Sequence, residues 1–296
     1  MAAHQQRVRA TLTGGLAVLL WALLALMTVG AHGVPPFQLL AMTFVIAAAL
    51  GGAISFVRGR NVLMASRNAP GAVALTVTGL FGYHAFYFAG MAVAPPAHVS
   101  LIAYLWPVLI VVLASLLPGE RLRWSHISGV SAGLAGVYLL TANSAAPGFN
   151  SSYIWGYAAA GACALTWSTY SVLNRRLFRE TPNEVVTLAC ALVAALGFAV
   201  HFLTEQTINP APSQWIAILG LGIGPVGAAF FLWDYGTKYG DIQLLGILSY
   251  AAPPLSVLAL VLAGRAAPSW DLLIACVLIT GGALAAALAS FRTTAP

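Results

Sequence analysis

The chain has 296 residues, 60% hydrophobic and only 7% charged, with a mean hydropathy of +0.88. Soluble domains carry about 25% charged residues, so this composition excludes a single water-solvated core and points to a chain embedded in lipid. Thirteen Lys and Arg against seven Asp and Glu give a formal charge of +6; in a lipid-embedded chain their placement matters more than their sum, and no nucleic-acid partner is expected.

Apolar runs bounded by charge, Pro or Gly predict ten membrane spans, at 12–30, 37–57, 71–93, 97–117, 125–142, 153–174, 185–203, 215–237, 242–263 and 270–290. Ten stretches of roughly 20 residues use about 200 positions and leave no room for a sizeable soluble domain. The first span carries Trp21. Its flanks, Arg7 and Arg9 before and Val29-Gly30-Ala31 after, have the outline of a signal peptide, but its length and its recurrence later in the chain favour a retained span.

The third span places Tyr83 and Tyr87 four residues apart on one helix face, with His84 beside them near the expected bilayer midplane. Lipid offers these phenol and imidazole groups no hydrogen-bond partner, so a protein-lined cavity is their expected destination. In the fourth span Tyr104 and Trp106 precede Pro107, which lacks an amide hydrogen and opens the helix ladder. The sixth span carries Trp167 and Tyr170, and the eighth concentrates backbone irregularity in Gly220, Gly222, Gly224 and Pro225. The ninth repeats the motif of the fourth as Tyr250 and Pro253. Together Trp21, Tyr83, His84, Tyr87, Tyr104, Trp106, Trp167, Tyr170 and Tyr250 are the candidate cavity residues, with Pro107, Pro253, Gly224 and Pro225 as candidate hinges. Packing kinks and core aromatics are the competing explanation at each position.

Twelve of the 13 basic residues fall in alternate connections, beside Arg7, Arg58, Arg121, Arg175, Lys238 and Arg292; the opposite connections hold only Arg265. The positive-inside rule places both termini in the cytoplasm. A lag of 146 residues organises the whole chain, aligning Gly15 with Gly161, Trp21 with Trp167, Pro36 with Pro182, Tyr104 with Tyr250, Pro107 with Pro253 and Trp124 with Trp270. Each repeat contains five spans, an odd number, so the second begins on the opposite side of the membrane. The expected fold is therefore an all-α integral membrane protein of ten transmembrane helices in two inverted five-helix repeats, residues 1–146 and 147–296. Such a pair can rock about a central cavity, a known solution for secondary transport.

Nothing in the sequence suggests catalysis or a cofactor: there is no Walker-type loop, no HExxH and no Gly-x-Ser-x-Gly elbow. Cys163, Cys190 and Cys276 sit inside apolar runs without metal-ligand spacing and are read as small buried side chains. Midspan aromatic groups with polar edges suit a small amphiphile such as an aromatic amino acid, and the scarcity of midspan Lys and Arg disfavours phosphorylated cargo. Two residues raise proton coupling: His84, and Asp234, four residues before Lys238. His84 is read first as a neutral hydrogen-bonding group, and Asp234 with Lys238 first as an interfacial ion pair.

Four segments then carry a resemblance: Ala94-Pro95-Pro96-Ala97, Tyr104-Leu105-Trp106-Pro107, Gly119-Glu120-Arg121, and the glycines Gly129, Gly133 and Gly136. Over about residues 10–290 the chain resembles the drug/metabolite transporter superfamily, EamA type, and most closely its bacterial aromatic amino acid exporters. The resemblance implies an inner-membrane exporter working by alternating access, with phenylalanine, tyrosine or tryptophan as cargo alongside methionine and some toxic compounds. Gly119-Glu120 has no counterpart in the second half, where Arg265-Ala266 stands, so the halves are chemically unequal. Export of unrelated drugs, amines or lipid-linked metabolites is the alternative, and a membrane-embedded enzyme a more distant one.

Overall fold

The computed structural model describes residues 2–142 and 151–265 and, beyond these, residues 267, 270, 273, 274, 277, 278, 281 and 282. Among the described residues all regular structure is helical. Helix α1 (Ala2–Ala22) continues across Leu23 into α2 (Leu24–Gly30); α3 (Pro36–Val57), the short α4 (Val62–Arg67) and α5 (Pro70–Val93) follow. The next span is broken into α6 (Pro96–Ala103) and α7 (Trp106–Ala114), and α8 (Trp124–Ala142) completes the first half. The second half holds α9 (Ile154–Leu177), α10 (Glu184–Thr204), α11 (Pro212–Ile223), α12 (Ala229–Tyr239), α13 (Ile242–Leu248) and α14 (Ala252–Leu262). Proline sits in the first turn of α3, α5, α7, α11 and α14, where its missing N–H would have had no intrahelical acceptor.

Six stretches are long and apolar enough to cross a bilayer: His4–Gly30, Pro36–Val57, Pro70–Val93, Glu184–Thr204, Pro212–Tyr239 and Ile242–Leu262. The molecule is an all-α, multi-pass membrane protein, and apolar side chains such as Phe56, Leu203 and Leu262 are largely exposed on its outer surface, as lipid contact requires. The expected fourth span is represented by the shorter apolar helix His98–Ala114. Helices α8 and α9 fall outside the apolar set. In α9 the polar residues Ser168, Ser171 and Asn174 are buried, with the two serines hydrogen-bonded to the carbonyls of Ala164 and Trp167. The tenth expected span lies mostly outside the described residues, as do Ala266, Cys276 and Arg292.

Helix α1 packs against α12, α13 and α14, while α9 packs against α5, α6 and α7; α3 and α10 pack on each other. At the α1–α12 crossing a Cβ on Gly236 would sit 2.5 Å from the Cα of Gly14 and 3.2 Å from the carbonyl of Ala10. At the α5–α9 crossing a Cβ on Gly90 would sit 3.2 Å from the carbonyl of Gly156. Only glycine permits the first approach, and at the second any side chain would push the neighbouring helix back by a few tenths of an ångström.

The two ends of the bundle are chemically different. At the basic end Arg7 binds Asp241 at 3.0 Å and lies 3.7 Å from Glu120, and Glu120 also binds Arg175 at 2.9 Å. Arg175 in turn donates to the carbonyls of Thr237 and Gly240, tying the ends of α1, α9 and α12 together. At the other end the carboxylate of Glu205 accepts from the backbone N–H groups of Phe37 and Gln38, satisfying orphan donors at the start of α3, and binds His201 Nδ1 at 2.8 Å. Gln38 completes that staple by donating to the Ile208 carbonyl at 2.7 Å.

Candidate functional site

Four tryptophans meet at the centre. Trp21 from α1, Trp106 at the start of α7, Trp167 from α9 and Trp233 from α12 have pairwise centroid distances of 5.1–6.3 Å, mostly edge-on or tilted, with Trp167 and Trp233 stacked at 26°. Phe230 packs against Trp21 and Trp167 and stacks on Phe44. Trp21, Trp106 and Trp167 were expected here from the sequence; Trp233, Phe230 and Phe44 were not. The repeat lag carried a usable signal: it aligns Trp233 with Tyr87 and Phe230 with His84.

On the basic-end side of this layer the structure is closed. Trp233 is 1% exposed and donates its indole N–H to Ser171 Oγ at 3.1 Å. Beyond it Asn174 donates to Asp234 at 2.6 Å, and Asp234 binds Lys238 at 2.9 Å, with both charged side chains at most 3% exposed. Lys238 also donates to the Thr181 carbonyl at 3.0 Å. The ion pair expected from the i,i+4 spacing is present and enclosed by protein, and Asn174 on a neighbouring helix helps accommodate the buried carboxylate. Tyr170 is buried on the same side, against Trp167 at 5.3 Å and above Gly79, where any side chain would collide with the phenol ring.

On the other side Tyr83, His84, Tyr87 and Phe88 remain partly exposed. Tyr83 and Tyr87 lie parallel at 6.2 Å, and Tyr83 meets Trp167 at 5.7 Å, joining this group to the tryptophans. Tyr87 Oη shares a hydrogen bond with Ser100 Oγ. Tyr104 lies within electrostatic reach of both tyrosines. His84 Nδ1 donates to the Leu80 carbonyl at 2.7 Å, and its ring is flanked by Phe44, Tyr83 and Phe88. Tyr250 stands apart: fully buried, it packs with Tyr104, Val108 and Val130 and covers Gly133 on α8, away from the tryptophans.

The candidate hinges coincide with breaks in the helices. Pro107 follows the interruption at Tyr104 and Leu105, and Pro253 follows a 3-10 turn at Ser249–Ala251. Gly224 and Pro225 open a π-helical turn, Gly224–Ala228, and Trp21 Nε1 donates to the Pro225 carbonyl at 3.0 Å. Among the described residues no group of three or more His, Cys, Asp or Glu side chains could hold a metal ion, and Cys163 and Cys190 are free and buried.

A profile of the EamA-like transporter family matches residues 9–142 and, a second time, residues 154–288. The chain belongs to the EamA-like transporter family. Transport, not catalysis, is therefore its function. The aromatic amino acid exporter YddG of Ancylobacter novellus is 52% identical over 97% of this chain and 99% of its own length. YddG of Salmonella typhimurium is 26% identical over 84% of this chain and 86% of its own. A solved crystal structure 50% identical to this EamA-like transporter superposes with a TM-score of 0.91, covering 96% of this chain and 99% of that one. The resemblance drawn from Tyr104-Leu105-Trp106-Pro107 and its companion segments is borne out at the level of the family.

Proposed function

We propose that this transporter exports aromatic amino acids and similar small amphiphilic metabolites across the bacterial inner membrane by alternating access. Its two five-helix units, residues 1–146 and 147–296, insert in opposite senses with both termini cytoplasmic. Three observations support the inverted pair. The family profile fits twice. Helices aligned by the 146-residue lag exchange partners, α1 with α12, α13 and α14 against α9 with α5, α6 and α7. The helix breaks before Pro107 and Pro253 are also aligned by that lag. Odd-span repeats of this kind alternate access by rocking one unit against the other, and the breaks with the π-turn at Gly224 and Pro225 supply the hinges.

The observation that carries the cargo reading is the aromatic layer itself. It is sealed towards the basic end and continues into partly exposed Tyr83, His84 and Tyr87 on the other side. Flat apolar rings can stack there while the phenols and imidazole meet the polar end of the cargo. Relatives named as aromatic amino acid exporters support the same cargo.

Purified protein in sealed liposomes should move labelled tryptophan or phenylalanine without chemical change; an unchanged distribution across a broad amino-acid panel rejects the cargo. An aromatic contact contributes about 0.5–1.5 kcal/mol, so Trp106→Ala should lower the initial rate by about tenfold. Tyr83→Phe, losing one hydrogen-bonding group, should lower it several-fold. Normal affinity and rate in both folded variants would remove the contact roles. A proton gradient should change accumulation if His84 or Asp234 takes part in coupling; equal accumulation with and without it assigns uniport. For the topology, cysteine labelling should place residues 67 and 175 on the same membrane face, and labelling from opposite faces would end the inverted-repeat reading.

A further inference from the structure

A cavity of about 370 Å³ opens at the basic end between α1, α3, α10 and α12, separate from the aromatic layer. Its volume is within the range of small-molecule pockets, about 300–1,000 Å³. Leu50 and Phe231 supply apolar wall, and the missing side chain of Gly51 lets Thr187 and Phe231 close against its backbone: a Cβ there would lie 2.5 Å from Thr187 Oγ1 and 2.6 Å from Phe231 Cζ. Two charges of opposite sign line the same cavity, Arg58 at the end of α3 and Glu184 at the start of α10, and neither joins an ion pair among the described residues. Thr187 is 6% exposed and its hydroxyl has no hydrogen-bond partner; the buried Asn183 Oδ1 beside it has none either. Unpaired buried polar atoms cost about 1–3 kcal/mol each, so a site that keeps them is suited to a ligand that pairs them.

The four groups divide by chemistry. The Arg58 guanidinium and the Thr187 hydroxyl can donate to a carboxylate; the Glu184 carboxylate and the Asn183 carbonyl can accept from an ammonium. The arrangement is also one-sided. The 146-residue lag aligns Arg58, Asn183, Glu184 and Thr187 with Thr204, Phe37, Gln38 and Ala41, which carry no charge. At that other end Gln38 is engaged with Ile208, and the amides of residues 37 and 38 with Glu205. Repeat architecture alone does not generate this pocket.

We propose that this cavity is a second, peripheral binding site for an α-amino acid zwitterion with an apolar or aromatic side chain, placed on the basic face. The polar end lies between Arg58 and Glu184, and the side chain lies against the apolar wall of Leu50, Ile54 and Phe231. The identity of the zwitterion as cargo rests on the export reading above; the pocket's chemistry does not. On the face from which export begins, such a site holds cargo beside the closed end of the passage.

The test is thiol protection. Thr187→Cys is introduced into a chain whose three native cysteines are alanine, and labelling by N-ethylmaleimide is followed in nanodiscs of phosphatidylcholine. L-Tryptophan should slow labelling at least threefold, whereas tryptamine, lacking the carboxylate, and indole-3-propionate, lacking the ammonium, should protect much less. R58Q and E184Q should abolish protection, and W106A in the central layer should retain it. Protection lost in W106A, or unchanged in both R58Q and E184Q, overturns direct occupancy. Protection that follows phosphatidylethanolamine in the nanodisc and ignores tryptophan assigns the pocket to a zwitterionic lipid headgroup and also overturns the proposal, as does no protection by either. Intact protection in a protein that fails to transport tryptophan in liposomes would reject the export reading and leave this site standing.

Discussion

Asp234→Ala is expected to cost the folded protein about 3–5 kcal/mol, because it strands the Lys238 ammonium in the interior without its counter-charge. Lys238 and Asp234 are each 2% exposed, and the carboxylate is also what Asn174 donates to, so one deletion leaves two donors short of an acceptor. The Thr181 carbonyl remains to Lys238 but carries no net charge. The measurement is the thermal unfolding midpoint in detergent, with the monodisperse fraction as a second readout. Removing both charges is a different experiment: Asp234→Leu with Lys238→Met should recover most of the loss, since a buried pair replaced by apolar groups of similar volume is often neutral or stabilising. That double variant also separates two roles for Asp234. A stable protein that still transports makes the pair structural; a stable protein that no longer transports gives it a part in coupling.

Trp233→Ala should be nearly as damaging, by about 3–5 kcal/mol, the range for emptying a large aromatic from a packed core. Trp233 is 1% exposed and touches three other indoles. In lipid the cost arises mainly from lost dispersion contacts and the cavity left behind, since the unfolded reference is itself apolar. Trp233→Phe keeps most of the ring but loses the bond to Ser171, and should cost only about 1 kcal/mol for that bond besides a smaller packing loss. Trp270→Ala, at a position 78% exposed, serves as the control and should stay within about 0.5 kcal/mol of the parent. Equal midpoints for Trp233→Ala and Trp270→Ala would mean that the central layer is not a packed unit.

Much of the fold was legible because lipid imposes simple rules: apolar run length marks a span, and a proline inside one marks a break, as at Pro107 and Pro253. The meeting of Trp21, Trp106 and Trp167 followed from their midspan depth. Trp233 escaped because it lies one residue from Asp234, whose charge suggested a membrane boundary. Tyr250 packs with its lag partner Tyr104 and not with the tryptophans. Tyr104 borders the exposed tyrosines, whereas the Tyr250 ring covers Gly133 on α8, a contact set by packing between helices distant in sequence. The peripheral cavity was invisible because Asn183, Glu184 and Thr187 stand together at the start of α10 while Arg58 ends α3, and only the packing of α3 on α10 brings Arg58 to the other three.

The ionic cluster joining Arg7, Glu120, Arg175 and Asp241 has no equivalent among the described residues of the opposite end, and the lag aligns these positions with the uncharged Tyr153, Ala266, Val29 and Pro95. Arg7 is the most accessible member, with 38% of its side chain reachable by solvent. Dissolved electrolyte screens such a partner within a Debye length of about 8 Å at physiological strength and about 3 Å at 1 M. Concentrated salt is therefore expected to weaken the Arg7 links more than the Glu120–Arg175 pair, whose side chains are only 11% and 14% exposed.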